Sequence, residues 1–131
     1  MKKLLSKIWE APQKVLAHLI IKLSKAQLIG EYQGAKLYHW KWQGGMSLST
    51  HIFLPFETLT NSLYQQDYIK HEYGHTVQSA YLGIVYLLII GAPSFLWAWL
   101  GKSYREKNNI SYYSFYTESW ADKLGGVNRE D

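Results

Sequence analysis

The chain contains no cysteine among its 131 residues. Disulfide bonds and thiolate metal ligands are therefore excluded, and a metal site has to use histidine nitrogens and carboxylate oxygens. The sequence offers five histidines and ten acidic residues for this purpose. Proline is scarce as well, so the breaks that Pro12, Pro55 and Pro93 introduce into helices or strands are few.

Acidic charge is outnumbered by basic charge, 10 residues to 14, which gives a net charge of +4. Basic charge can indicate binding to nucleic acid or to an anionic membrane surface. No nucleic-acid-binding motif appears, and apolar residues adjoin both basic segments. We therefore expect a membrane surface, and no nucleic acid, as a partner. The two basic segments contribute Lys2, Lys3, Lys7, Lys14, Lys22, Lys25, Lys102, Arg105 and Lys107.

The N-terminus begins like a secretion signal, with two lysines ahead of Leu4 and Leu5, but lacks its hydrophobic region. Lys7, Glu10 and Lys14 interrupt the apolar residues, and no small-residue cleavage site follows. We predict no cleaved signal peptide and a cytoplasmic protein that can associate peripherally with a membrane.

Five consecutive residues, His71-Glu72-Tyr73-Gly74-His75, form an HExxH pattern. Residues four apart lie on one face of an α-helix, about 6 Å apart along its axis, so both imidazoles can reach one metal ion. Glu72 then lies beside the ion and can act on a water molecule bound to it. The alternative is a helix with two unrelated histidines and a surface glutamate.

Glu118 and Asp122 are also four residues apart, so a helix would present both carboxylates on one side. Two histidines and a glutamate with a water molecule form a known catalytic zinc arrangement, which makes Zn²⁺ the expected cofactor. Asp122 can accept the remaining N–H of a ligating histidine and fix its tautomer. The alternative for these two carboxylates is a solvated helix face.

With both motifs, the chain resembles the gluzincin zinc metallopeptidases, the thermolysin-like group, and especially their minimal single-domain members. The resemblance implies that Glu72 is the general base and acid and that Asp122 contacts His71. It also implies three zinc ligands, namely His71, His75 and Glu118.

The resemblance covers residues 67–125 and implies zinc-dependent hydrolysis of peptide bonds in a peptide or protein substrate. An endopeptidase is favoured over an exopeptidase. One rival function is a zinc-binding module without turnover that attaches to a membrane or a partner. The other is a membrane-anchored scaffold without metal.

Hydrophobic periodicity and length predict one α+β domain over residues 1–131. Residues 1–27 form an amphipathic helix, whose apolar face suits either core packing or a membrane surface. Residues 28–55 form a small antiparallel meander. The active-site helix, an apolar helical hairpin and a C-terminal glutamate helix follow within residues 67–125.

The strand predicted at 46–54 is the candidate substrate-binding edge. Gluzincin-like enzymes place a sheet above the active-site helix, and its edge strand pairs with an extended peptide through main-chain hydrogen bonds. The resemblance therefore assigns Ser47, Ser49 and His51 to the substrate edge strand.

Residues 76–101 contain no charged side chain. Residues 81–100 approach the length of a membrane-spanning helix, but a single crossing would separate Glu118 from His75 by the whole bilayer. Pro93 resolves this conflict, because a helix should turn at Gly91-Ala92-Pro93-Ser94. We predict an apolar hairpin over 76–101, with the protein core, an oligomer interface and a membrane surface all open as its surroundings.

Three tyrosines precede the predicted glutamate helix. A hydroxyl at this position could donate a hydrogen bond to the oxyanion that forms during hydrolysis, while packing is the alternative role. The candidates are Tyr112, Tyr113 and Tyr116.

Overall fold

The computed structural model describes residues 8–42, 44–55 and 62–129, with side chains from residue 66 onward in the last range. The predicted start of the first helix, over residues 1–7, and Gln43 lie outside the described residues. The α+β prediction is confirmed. The elements are α1 (Ala11–Ser24), β1 (Gln27–Tyr32), β2 (Ala35–Trp40), β3 (Met46–Leu48), β4 (His51–Pro55), α2 (Ser62–Leu82), α3 (Ala92–Trp99), α4 (Lys102–Asn108) and α5 (Tyr116–Gly125).

Helix α1 has Pro12 in its first turn, where the missing N–H costs no helical hydrogen bond. It ends at Ser24 and is capped by Lys25, which adopts a left-handed conformation and donates its N–H to the Ile21 carbonyl. Ala17 packs into the core. One side of the predicted amphipathic helix therefore contributes to the core, while its outer side remains exposed through Val15, Leu19 and Leu23.

The sheet has four strands in the order β1-β2-β4-β3. Strands β1 and β2 form an antiparallel hairpin, β2 and β4 are parallel, and β3 and β4 are antiparallel. The prediction of a wholly antiparallel meander is therefore wrong in one respect, because the sheet is mixed. Strand β4 lies between β2 and β3, so the connection after β2 crosses to the far edge of the sheet.

The strand predicted at 46–54 is two strands. Ser49 adopts a left-handed conformation with φ of 56° and, with Thr50, turns the chain between β3 and β4. The alternating apolar residues keep their period across this turn, so the pattern alone indicates one longer strand. Strand β3 lies at the edge of the sheet, and the fully buried β4 is internal.

Both faces of the sheet are covered. On one face Trp40 and Phe53 pack with α1 and with Tyr86 and Ile90 from the segment after α2. On the other face Leu37, Ile52 and Leu54 pack against the first half of α2, which supplies Tyr68, Ile69 and Tyr73. The sheet thereby fixes the helix that carries the HExxH residues.

The chain changes direction earlier than predicted, at Gly83 rather than at Pro93. Gly83 has a φ of +54°, and a Cβ atom there would lie 2.0 Å from the Trp9 indole. The Trp9 indole N–H also donates to the Ala80 carbonyl at 2.9 Å, which holds α1 against the bend. Pro93 instead lies where the π-helical turn Leu87–Gly91 runs on into α3, and the Ile89 carbonyl, four residues before it, accepts a hydrogen bond from the Tyr116 hydroxyl.

The helical direction bends by 119° between residues 66–85 and residues 87–99. Among the described residues, no single helix combines the length and the apolar character that a membrane span requires; this bent pair does so only when both halves are taken together.

Helices α2 and α5 cross at very close range. A Cβ atom at Gly74 would lie 1.9 Å from the Ala121 carbonyl oxygen, and one at Gly125 would lie 1.8 Å from the Lys70 carbonyl oxygen. Only glycine fits at both positions, because the obstacle in each case is backbone. This crossing brings the HExxH residues of α2 next to the carboxylates of α5.

Candidate metal centre

Helix α2 presents His71 and His75 one turn apart, and α5 presents Glu118 opposite them. The Glu118 Oε1 atom lies 3.4 Å from the His71 Nε2 atom and 3.2 Å from the His75 Nε2 atom. All three side chains are buried, and their candidate ligand atoms lie within 4.8 Å of one another. The structure thus brings together the three residues that the sequence motifs singled out.

The second nitrogen of each imidazole already has a partner. The His71 Nδ1 atom lies 2.6 Å from the Asp122 Oδ1 atom, as predicted for Asp122. The His75 Nδ1 atom lies 2.7 Å from the Gln78 Oε1 atom. Because each Nδ1 atom is paired with its own acceptor, Nε2 is the nitrogen of each ring that faces Glu118.

Gln78 also joins the two helices of the site. Its Nε2 atom donates to the Thr117 carbonyl at 2.9 Å, next to Glu118 in the chain. The side chain is fully buried. One amide group therefore orients His75 with its oxygen and fixes the start of α5 with its nitrogen.

Glu118 is held through its other carboxylate oxygen. Its Oε2 atom accepts hydrogen bonds from the Ser94 hydroxyl at 3.0 Å and from the Thr117 hydroxyl at 2.9 Å. The Oε1 atom is the one that faces both histidines. The carboxylate is thus fixed by one oxygen and presents the other as a ligand atom.

The ionisation of the cluster reflects its close packing. Burial lowers the pKa of His71, but hydrogen bonds to Asp122 and Glu118 outweigh that effect and raise it to about 9. The pKa of His75 is also raised against the effect of burial, by the charge of Glu118. Burial alone would raise the pKa of Glu118, yet the two imidazoles hold it well below its usual range.

These residues meet the requirements for binding a metal ion. Two imidazole nitrogens and one carboxylate oxygen converge, and the outer side of each ligand is fixed by a hydrogen bond. Nitrogen and oxygen donors of this kind suit a divalent transition-metal ion. Among the described residues, this is the group of histidine and acidic side chains that could hold a metal.

Glu72 lies beside the cluster but outside the ligand set. The Ser47 Oγ atom lies 2.8 Å from the Glu72 Oε2 atom and 2.8 Å from the Glu72 carbonyl oxygen. Ser47 belongs to β3, so the edge strand of the sheet touches the HExxH helix at this residue. The Glu72 carboxylate is buried and oriented by this hydroxyl.

The three residues predicted to form a substrate edge lie in different places. Ser47 is on the edge strand β3, whereas Ser49 is in the turn and His51 is on the internal strand β4. The Ser47 carbonyl accepts a hydrogen bond from the Tyr86 hydroxyl at 2.9 Å. The assignment of Ser49 and His51 to an edge strand is therefore wrong, and the edge itself is only three residues long.

The three candidate tyrosines make different contacts. The hydroxyl of Tyr112 shares a hydrogen bond with Glu118, and its pKa is raised by burial and by the charge of that carboxylate. The Tyr113 ring packs edge-on against His71, with centroids 5.1 Å apart. The Tyr116 hydroxyl donates to the Ile89 carbonyl at 2.7 Å, which directs it away from the cluster. Tyr112 is the candidate whose hydroxyl lies at the site.

Arg129, which the sequence motifs did not single out, contacts the site from the C-terminal segment. Its Nε atom lies 2.7 Å from the Asp122 Oδ2 atom, and its guanidinium carbon lies 3.3 Å from the centroid of the Tyr113 ring. Arg129 also donates from Nη2 to the Asp122 Oδ1 atom at 3.3 Å, so Asp122 accepts from His71 with one oxygen and from Arg129 with both. Burial opposes the effect of these bonds, yet together they lower the pKa of Asp122.

The sequence motifs also did not single out three residues that hydrogen-bond to the cluster, namely Gln78, Ser94 and Thr117. Gln78 could have been found, because it lies three residues after His75 and so shares its side of the helix. Ser94 carries no comparable signal, since its approach to Glu118 depends on the bend after α2.

No family model, curated protein or solved structure matches this chain.

Proposed function

We propose that this protein is a zinc-dependent peptidase of the gluzincin type. The observation that carries the proposal is the position of Glu72 relative to the His71, His75 and Glu118 cluster. A glutamate beside the ligands, oriented by Ser47 but not itself a ligand, is the arrangement that hydrolysis by an activated water requires.

In this proposal His71, His75 and Glu118 hold Zn²⁺. The donor set of two histidines and a glutamate is the one found in catalytic zinc sites, where a fourth position is left for water. When bound, the ion would act as a Lewis acid and would lower the pKa of the water bound to it towards neutrality. Asp122 and Gln78 orient the two imidazoles, and Ser94 and Thr117 orient the carboxylate.

The protein groups then move protons. The Glu72 carboxylate accepts a proton from the attacking water and delivers it to the nitrogen of the departing amine. The Ser47 hydroxyl holds one Glu72 oxygen and leaves the other for this transfer. The Tyr112 hydroxyl, whose raised pKa keeps it protonated, donates to the oxyanion that develops on the substrate carbonyl.

The substrate is proposed to be an extended peptide that lies along β3. This strand forms the edge of the sheet and contacts the Glu72 helix through Ser47. Tyr86 already bonds the Ser47 carbonyl, so a peptide either displaces that hydroxyl or pairs with the neighbouring residues of the strand. An internal stretch of a polypeptide suits this geometry, which favours an endopeptidase.

One observation favours the second candidate, a zinc-binding module without turnover. The side chains of His71, Glu72, His75 and Glu118 are all buried, and Tyr112 covers Glu118. In such a module the ion would clamp α2 to α5, and Glu72 would serve only to fix β3 through Ser47. The two candidates therefore assign different roles to the Glu72 carboxylate.

Substitution of that carboxylate distinguishes the two functions. The full chain, loaded with zinc, is incubated with an unstructured protein, and new peptide termini are identified by mass spectrometry. A peptidase predicts cleavage that Glu72→Gln reduces by about 100-fold or more while zinc content is unchanged. Absence of cleavage by the wild-type protein, or full cleavage by Glu72→Gln, would contradict the proposed mechanism.

A further inference from the structure

The segment between the two halves of the site has two different faces. Residues 81–104, here called the apolar arm, comprise the end of α2, the bend after it, the helical residues 87–99, which include α3, and the start of α4. The inward face of the arm packs against the rest of the protein. Tyr86 and Ile90 are buried in the core, the Ser94 hydroxyl bonds Glu118, and the Trp97 indole donates to the Tyr112 carbonyl at 2.8 Å.

The outward face of the arm is almost wholly apolar and uncovered. Leu88 is 76% exposed, Trp99 is 67% exposed and Leu100 is 63% exposed. The exposed large side chains recur three or four residues apart within residues 81–89 and again within residues 95–104, and together these two groups are called the stripe. This stripe consists of Tyr81, Ile84, Val85, Leu88, Ile89, Phe95, Leu96, Trp99, Leu100 and Tyr104.

A stripe of this kind is unusual on a monomeric protein, where large exposed apolar patches mark a binding surface. The nature of the partner follows from the charges beside the stripe. The exposed residues Lys102 and Lys107 flank its C-terminal end, with Glu106 as the acidic residue of α4. Trp99, Tyr81 and Tyr104 add the aromatic rings that favour the boundary between headgroups and acyl chains.

We propose that the outward face of the apolar arm docks onto the surface of a bilayer that contains anionic lipid. Apolar side chains would enter the acyl region while the lysines contact the headgroups. A second copy of the chain is a poorer occupant, because its own basic residues would repel those of the first. This inference does not depend on the proposed peptidase activity.

The shape of the arm favours a surface position over a crossing. The helical residues after the bend, a π-helical turn at 87–91 followed by α3, span 87–99 and are therefore about 20 Å long, less than the ~30 Å of a hydrocarbon core. The 119° bend before them prevents α2 and α3 from acting as one straight rod. The arm can lie along the membrane with its inward face still packed on the protein.

Sedimentation with vesicles tests this proposal. The full chain is mixed with phosphatidylcholine vesicles that either contain or lack phosphatidylglycerol, at low and at high salt. The proposal predicts partitioning that is stronger on the anionic vesicles and is weakened, but not abolished, by salt. No pelleting on either type of vesicle would overturn it.

Two serine substitutions provide a matched comparison. Leu88→Ser removes an exposed leucine from the stripe, whereas Leu28→Ser removes one that is 59% exposed on β1, at the opposite edge of the sheet from β3. We expect Leu88→Ser to weaken partitioning by about tenfold, because several methylene groups leave the contact, and Leu28→Ser to leave it unchanged. Equal losses would contradict docking through the arm.

A charge variant and a measurement of size complete the experiment. Lys102→Gln combined with Lys107→Gln should reduce binding to anionic vesicles while leaving binding to neutral vesicles unchanged. Circular dichroism melts should coincide for all variants, since these side chains are exposed. If size-exclusion chromatography shows a dimer that Leu88→Ser dissociates, and no vesicles are bound, a second copy occupies this face and the proposal is wrong.

Discussion

The His71 Nδ1 atom lies 2.6 Å from the Asp122 Oδ1 atom, although the two residues are 51 positions apart in the chain. This contact fixes which nitrogen of His71 faces Glu118, and it exists because α2 and α5 cross at their glycines. Asp122 in turn accepts hydrogen bonds from Arg129 with both of its oxygens. The orientation of His71, a candidate metal ligand, is therefore set by a residue outside the candidate ligand group.

Replacement of Asp122 should weaken metal binding without removing a ligand. In Asp122→Asn the side chain keeps its size but loses the negative charge that holds the His71 N–H. We expect zinc affinity to fall by about 10- to 100-fold, as is typical for such outer contacts. Competition with a fluorescent chelator measures the affinity. Glu106→Gln on the exposed helix α4 is the control and should bind zinc like the wild type.

Gln78 allows the two functions of one side chain to be separated. Gln78→Leu removes both the acceptor for His75 and the donor to the Thr117 carbonyl, so it should lower zinc affinity and cost about 1–3 kcal/mol of stability through the buried His75 Nδ1 atom left unpaired. Gln78→Glu keeps the acceptor for His75 and should retain most of the affinity. Chelator competition and urea denaturation report the two effects, and equal zinc affinities for both variants would contradict this role.

The helix crossing depends on the absence of a side chain at Gly74. In Gly74→Ala the new Cβ atom would meet the Ala121 carbonyl oxygen, so α2 and α5 must separate. We expect a loss of about 3 kcal/mol or more in the free energy of unfolding, together with reduced zinc binding. Gly30→Ala is the control, because a Cβ atom there has no atom within 4 Å. Its effect in urea denaturation should stay within about 1 kcal/mol.

Removal of the metal should destabilise the protein. A ligand that binds only the folded chain raises its stability by about 2.7 kcal/mol at a concentration 100 times its dissociation constant. The melting temperature should therefore fall in the presence of a chelator and recover when zinc is added in excess. His75→Ala should show no such response, and a response as large as that of the wild type would argue against this ligand set.

The local parts of the site could be predicted from the sequence, whereas their surroundings could not. His71 and His75 lie on one helix face because helix geometry alone determines it. The convergence of Glu118 depends on a crossing of two helices that needs Gly74 and Gly125, and no local pattern specifies which backbone fills those spaces.

Two errors have clear physical causes. Pro93 was expected to reverse the chain, but proline is also compatible with the first turn of a helix, and the reversal instead uses the positive φ of Gly83. The sheet was expected to be a meander, because the periodicity of residues 46–54 continues through the turn at Ser49. Strand order is a long-range property, and the parallel pairing of β2 with β4 leaves no mark in either strand.

We propose that His71, His75 and Glu118 together bind one zinc ion, and the zinc content of the purified protein measures this. The wild-type chain, Glu118→Ala and Glu106→Gln are incubated with zinc, freed of unbound metal and analysed by mass spectrometry for metals. We predict stoichiometric zinc in the wild type and in Glu106→Gln, and a large loss in Glu118→Ala. A wild-type protein that retains no zinc, or a Glu118→Ala variant that retains as much as the wild type, would show that these three residues do not form a zinc site.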